Sequence, residues 1–176
     1  DPTPVSSMRA YFTQLVLWKF SSTWSLSGTS PDTFNLAQDS PIYGCIAKNA
    51  ACVWEQKLWF LDSKGVCEFN GANTGIVSSK VEDIFKRMNV QAACQVATMT
   101  HVKERNEVWT AIPVDGATYC NMMVVYDYLA SAWTTRTIAG NNYSAFGLMT
   151  PPKEKQRVFY GSESGMIGSY SSDLYG

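Results

Sequence analysis

The sequence predicts an all-β fold of β-propeller type, with a repeat of about 50 residues and one short helix near 79–89. Three observations predict it. Lys57-Leu58-Trp59, Glu107-Val108-Trp109 and Arg157-Val158-Phe159 stand 50 residues apart, each a charged residue, a branched aliphatic and an aromatic. A polar, turn-like run precedes each of them: Glu55-Gln56, Lys103-Glu104-Arg105-Asn106 and residues 151–156. Short apolar or alternating runs, separated by turn residues, recur along the whole chain.

Residues 1–14 are polar and Pro-containing and read as a peripheral arm. Four units follow, at 15–43, 44–92, 93–143 and 144–176, the last incomplete. In the first, Leu15-Val16-Leu17-Trp18 and the alternating Thr23-Trp24-Ser25-Leu26-Ser27 flank a Ser-containing turn and form a hairpin. Leu17-Trp18 echoes Leu58-Trp59 at an offset of 41, so the first unit reads as shorter than the others. The stretch 28–43 is rich in Ser, Thr, Pro and Asp and reads as a loop.

In the second unit, strands are expected near 50–54, 58–62 and 66–69. Gly65 closes the turn Ser63-Lys64-Gly65, where a positive φ is needed. Residues 70–75 read as a loop. Ser79-Lys80-Val81-Glu82 then fits a capping box, with Ser79 as N-cap and Glu82 at N3. Val81, Ile84, Phe85 and Met88 follow at i, i+3, i+4 and i+7 and form one apolar stripe. Asp83 in the first turn and Lys86-Arg87 in the last suit the helix dipole, and Asn89 is the stop.

In the third unit, residues 92–101 lead into a strand with Thr98 and Thr100 on one face and Met99 and His101 on the other. Three strands follow, at 108–112, 122–126 and 133–137, with Asp115-Gly116 at the centre of the first connection. Gly140-Asn141-Asn142 closes the unit. Strands at 145–149, 157–161 and 166–170, with a turn over 162–165, begin one more.

A propeller usually closes with roughly four to eight blades, because the first must pack against the last. Three full units and part of a fourth do not close, so sheet edges and apolar faces are expected to stay open. The chain is therefore expected to be a segment of a longer polypeptide, or one whose ring other chains complete. A smaller sandwich with a superficial repeat is the alternative architecture.

Composition narrows the function classes. The net charge of −1 supplies no global basic field for nucleic acid or anionic lipid. Charged residues make up 16%, below the roughly 25% usual for soluble domains, and aromatics make up 13%. That balance fits surfaces covered by partners, and it equally fits the aromatic preference of strands. Five cysteines, none spaced as C-x-x-C, form neither a disulfide framework nor a zinc site, and reduced, buried thiols are expected. That state suits folding in a cytosol. No apolar run reaches 18 residues, so no membrane segment is expected.

Val124-Val125-Tyr126-Asp127-Tyr128, then Trp133, resembles a kelch blade, in which a strand ends in Tyr-Asp and a Trp opens the next; Asn121-Met122 stands where that pattern has Gly-Gly. A larger part of the chain, roughly 15–170, resembles bacteriophage tail and head-to-tail connector proteins built on propellers. The resemblance rests on Pro-Ile-Tyr-Gly-Cys (41–45), the run Leu-Trp-Phe-Leu-Asp-Ser-Lys-Gly-Val-Cys-Glu-Phe-Asn-Gly (58–71) and Ile-Val-Ser-Ser-Lys-Val-Glu-Asp-Ile-Phe (76–85). It continues through Val-Tyr-Asp with its following Trp (125–133) and Tyr-Gly-Ser-Glu-Ser-Gly-Met-Ile (160–167). It implies a structural virion component, made in the host cytoplasm, that packs into a ring with itself and with neighbouring tail, portal or adaptor proteins. It also implies proximity to double-stranded DNA in a channel.

No catalytic, cofactor-binding or metal-binding residues emerge from the sequence. His101 is the sole histidine, and no nucleophile motif flanks it. Asp62 and Asp127 follow apolar strands and could serve as a glycosidase pair, but both read as turn formers. The turn after Asp62 lacks the Ser and aromatic that a sialidase Asp-box needs, since Phe60 and Val66 stand there. Basic residues cluster at 80–87, 103–105 and 153–157 with acids interleaved, and read as solvated turns. Asn142-Tyr143-Ser144 fits a glycosylation acceptor, with nothing else arguing for secretion. Trp18, Trp59, Trp109 and Phe159 recur with the unit and read as core or inter-blade packing. Trp24, Trp54 and Trp133 are less tied to the period and form the candidate partner interface. The functional expectation is a non-enzymatic phage tail nozzle or connector component. A kelch-like interaction module, or a carbohydrate-binding or glycoside-hydrolysing propeller, are the alternatives.

Overall fold

The computed structural model describes residues 3–137, 142–150, 152 and 156–170. The chain is all-β: four small antiparallel sheets, each a meander in which strands pair in chain order. Sheet I comprises β1 (Ser7–Tyr11), β2 (Gln14–Trp18), β3 (Thr23–Ser27) and β4 (Asn35–Ser40). Sheet II comprises β5 (Ala51–Trp54), β6 (Lys57–Asp62), β7 (Gly65–Phe69) and β8 (Thr74–Ile76). Sheet III comprises β9 (Thr98–Val102), β10 (Glu107–Ile112), β11 (Met122–Asp127) and β12 (Ala132–Arg136). Sheet IV comprises β13 (Tyr143–Met149), β14 (Arg157–Ser162) and β15 (Ile167–Tyr170).

The sheets follow one another in space as in sequence. β5 touches both β1 and β9, and β9 touches β13, so the first strands of the four sheets lie side by side. Sheets II and III each present one face to the sheet before and the other to the sheet after. The main core joins sheets I, II and III around Trp18, Phe60, Phe69, Val108 and Val124. A second core joins sheets III and IV around Trp109, Met123, Tyr143 and Val158. Among the described residues the four sheets form no closed ring.

The repeat is physical. β6, β10 and β14 begin at Lys57, Glu107 and Arg157, 50 residues apart, and each carries its aromatic at the third position. β2, the matching strand of sheet I, begins at Gln14, which is 43 residues before Lys57. The two hairpins confirm that alignment: Tyr11 pairs with Gln14 across a two-residue turn, as Trp54 pairs with Lys57. The sequence match of Leu17-Trp18 to Leu58-Trp59 is therefore out of register. Trp18 matches Leu61, and Val16 occupies the place of Trp59 and Trp109. Turn position sets the register, and a two-residue error in it moves every partner along the strand.

Other expectations are also corrected. The stretch 1–14 is not a peripheral arm, because it contains β1. Ser7 Oγ donates to the Lys48 carbonyl at 3.0 Å, Arg9 Nη2 to Ala51 O at 3.2 Å and Tyr11 OH to Gln56 O at 2.6 Å. Ser6 Oγ also donates to the Cys45 carbonyl. The expected loops at 28–43 and 70–75 contain the edge strand β4 and the start of the edge strand β8. The helix near 79–89 is a 3-10 turn, Ser79–Val81, followed by α1 (Glu82–Lys86), and the Ser79/Glu82 capping box does not form. Glu82 pairs instead with Lys86 at 2.9 Å, one turn on. Phe85 and Met88 of the predicted stripe are buried. Asn89 ends this turn and caps a second helix, α2 (Val90–Val96), accepting from the Ala92 amide. Residues 140 and 141 of the expected closing turn, residues 153–155 of the basic cluster and residues 171–176 lie outside the described residues.

Candidate interaction faces

The seam between sheets II and III gathers five aromatic side chains and His101. Trp59 and Tyr126 have ring centroids 5.0 Å apart, and Tyr126 and Trp133 4.8 Å. Trp59 stacks on Trp133 at 6.1 Å, and Trp54 meets Trp59 edge to face at 5.2 Å. Trp54 in turn stacks on Tyr128, whose hydroxyl lies 3.3 Å from His101 Nε2. Two of the three candidate interface tryptophans, Trp54 and Trp133, therefore meet in one cluster through Trp59. They are half-buried. The open side of the cluster is a cleft of about 210 Å³ rimmed by Lys57, Glu68, Ser79, Lys80 and Ser131.

The seam between sheets III and IV repeats the plan. Trp109 packs edge-on against Tyr170 at 5.0 Å and Phe146 at 6.0 Å. Tyr143, Tyr160 and Tyr170 complete the cluster, with the Tyr143 and Tyr170 hydroxyls 3.0 Å apart. Burial raises the Tyr143 phenol above its ordinary pKa, so the pair stays protonated. In each seam the buried indole N–H finds a glutamate that is itself ion-paired. Trp59 Nε1 donates to Glu68, which Lys57 neutralises at 3.1 Å; Trp109 Nε1 donates to Glu107, which Arg136 neutralises at 2.7 Å. The Arg136 guanidinium also lies over the Trp109 ring at 5.1 Å. A buried carboxylate needs such pairing, and here it fixes the orientation of the tryptophan that fills the seam.

The third candidate, Trp24, is placed differently. It lies on the face of sheet I that points away from sheet II. Cross-strand pairing puts Met8, Leu17 and Trp24 in one row, and Ala10, Leu15, Leu26 and Leu36 in the next. Met8 is 52% exposed and Leu36 58% exposed, and Leu15, Leu17, Trp24 and Leu26 are half-covered. The matching residues of sheet II, namely Leu58, Phe60, Cys67 and Phe69, are fully buried under sheet I. A shallow apolar cleft of about 150 Å³ runs between Val5, Leu17, Trp24 and Leu36. Sheet IV has an open face as well, carrying Met149, Phe159 and Ile167, with Ile167 80% exposed.

The groups weighed for chemistry sit in structural roles. Asp62 is buried and accepts from the Gly44 and Lys64 amides at 3.1 and 2.9 Å and from Ser63 Oγ. Burial raises its pKa, and those donors counter the shift. Asp127 accepts from the Leu129 and Ala130 amides at 2.9 Å, which makes the turn that leads into Trp133. His101 has its pKa lowered by burial and by Lys103. Among the described residues no three of His, Cys, Asp or Glu gather into a metal-binding group, and no helix is long and apolar enough to cross a membrane. Scanned against protein-family models and against curated proteins, the chain matches none.

Proposed function

We propose that the four sheets are successive blades of a β-propeller and that the chain is a structural component of a phage tail nozzle or head-to-tail connector. One observation carries the propeller reading: the same aromatic seam joins II to III and III to IV, at strands spaced 50 residues apart. A face-to-face stack of meanders with adjacent first strands is how blades surround an axis. The open apolar faces of sheets I and IV support a ring that further sheets complete. The tail role comes from the motif resemblance over 15–170, with the neighbours of the ring being copies of itself and adjoining tail, portal or adaptor proteins. In this reading the chain is not an enzyme, since Asp62, Asp127 and His101 are committed to turns and packing. Its place would be the virion tail, after synthesis in the host cytoplasm.

The kelch-like alternative draws on the Asp127 turn and on the packing of Trp133 against Tyr126. Purified virions separate the readings. A tail component is found in purified particles by mass spectrometry and lies on the tail axis in averaged electron micrographs. A protein absent from every particle fraction and recovered as a soluble adaptor bound to a single partner would favour the kelch-like reading.

A further inference from the structure

The II–III and III–IV seams use one register, whereas in the I–II seam Val16 holds the equivalent position and the ring contacts are Tyr11 on Phe69 and Trp18 on Phe60. The aromatic at the third position of one sheet's second strand seats on a fixed position of the next sheet's third strand, and in sheet III on the fourth strand as well. Trp59 seats on Tyr126 of β11 and Trp133 of β12, and Trp109 seats on Tyr170 of β15. Cross-strand pairing shows which residues of sheet I hold the receiving positions. Tyr126 pairs with Val108 and Trp133 as Leu26 pairs with Leu15 and Leu36. Leu26 and Leu36 thus hold the receiving positions of sheet I, and no sheet covers them among the described residues. At the other end, Phe159 holds the place of Trp59 and Trp109, on a face with no sheet beyond it among the described residues. Met149, which pairs with Arg157 as Trp54 pairs with Lys57, stands beside it in the place of Trp54.

We propose that two copies of this chain mate head to tail, the outward face of sheet IV of each seating Phe159 on Leu26 and Leu36 of the other's sheet I. The inference rests on the blade reading above and names the partner and register of its open faces. Two copies supply eight sheets, within the roughly four to eight that close a propeller. The contact joins different surfaces of the two copies, so it closes only when the rotation brings the second pair of faces together. Both faces are apolar where they meet, as the internal seams are, and each copy carries both halves of the contact.

Light scattering on the 176-residue chain tests this, with two chains of 19.5 kDa expected in one particle. Leu26→Glu and Phe159→Glu should each yield single chains, because each spoils one half of both contacts. Mixed in equal amounts they should recover a two-chain species, since one intact pair of faces remains between them. Ile167→Glu, at a residue 80% exposed, gives the same loss without disturbing the fold. A wild-type single chain at high micromolar concentration would overturn the proposal, as would an assembly larger than two. Two chains that survive Phe159→Glu but not Leu26→Glu would show sheet I pairing with itself, and would also overturn it. Hydrogen exchange keeps this failure apart from failure of the blade reading. A monomer whose amides in β6 and β10 stay protected retains the internal seams and loses only the mating.

Discussion

Trp59 and Tyr126 face each other across the seam of sheets II and III with ring centroids 5.0 Å apart, and Trp109 and Tyr170 repeat that separation across the next seam. Each pair is a Trp and a Tyr at the same strand positions, with the rings tilted at 33° in the first and edge-on at 80° in the second. A recurring aromatic contact at a fixed place in a 50-residue unit is a joint between units rather than a local accident of packing. It defines what must be broken to loosen the stack, and what is left open at its ends.

Trp59→Ala and Trp109→Ala should each destabilise the chain by about 3–5 kcal/mol, the range for emptying a buried tryptophan site. Trp24→Ala should cost about 1–1.5 kcal/mol in the single chain, because its ring is half-covered and among the described residues no sheet packs over it. Urea unfolding followed by circular dichroism measures both. Equal losses at all three positions would show that Trp24 lies in a seam of its own.

Gly44→Ala should destabilise by about 1–3 kcal/mol or more. A Cβ at Gly44 lands inside contact distance of the Lys19 carbonyl oxygen and of the Ser22 and Phe20 backbone, none of which is a flexible side-chain end. Gly44 also donates its amide to Asp62, so the joint between sheets I and II is held at backbone level. Thermal melts compare it with Gly75→Ala, where no atom lies within 4 Å of the added methyl and little change is expected.

These joints were unevenly legible in the sequence. The period from Lys57 to Arg157 was plain, because in sheets II to IV the second strand combines one charge, one branched aliphatic and one aromatic. β1 was hidden, since Ser7–Tyr11 is short and half-polar and the turn after it has no Gly, Asn or Asp. Phe12 itself adopts φ 49° there, a conformation that residue choice does not announce. β4 and β8 are edge strands, and their exposed, polar or Gly-containing sequences read as loops. α2 is not announced by the sequence, because Asn89, which reads as a helix stop, serves as the N-cap of the next helix. Trp54 and Trp133, two of the three residues of the candidate partner interface, pack in the seam with Trp59 and line its open cleft, an arrangement that only the register between sheets reveals. Trp24 alone of the three lies on a face that no sheet covers among the described residues.

Lowering the pH from 7 toward 5 should remove a part of the stability that depends on His101. Its folded pKa lies below the ordinary 6.5, so the unfolded chain binds the proton more readily. The stabilising contribution is full above 6.5 and declines as pH falls through the depressed folded value. Lys103 and Glu55 act on it with opposite signs, and the Tyr128 hydroxyl is its neighbour. Asp62 works the other way, its raised pKa favouring stability at lower pH, so the comparison must be with His101→Gln. The difference in melting temperature between wild type and variant should shift against the wild type on acidification. A constant difference from pH 7 to 5 would contradict it.

The native thiols should resist modification. Burial pushes Cys45, Cys52 and Cys120 up to about 12 and raises Cys67 as well. Cys94 on α2 and Cys52 on β5 are half-buried where the other three are buried, and the Cys94 thiol is raised by burial too, without reaching the level of Cys52. A thiol-reactive chromophore at pH 8 should label Cys94 first and slowly, with the other four reacting only on unfolding. Rapid labelling of two or more sites in the folded protein would contradict the packing around β5 to β7.

The most direct test of the central claim is an image of the assembled protein. Single-particle electron microscopy of the native assembly should show small sheets set radially around an axis, with the Trp59 and Trp109 seams between neighbours and the face bearing Leu26 and Leu36 covered by a further sheet. A compact particle in which the four sheets stack as a sandwich, with that face open to solvent, would contradict it.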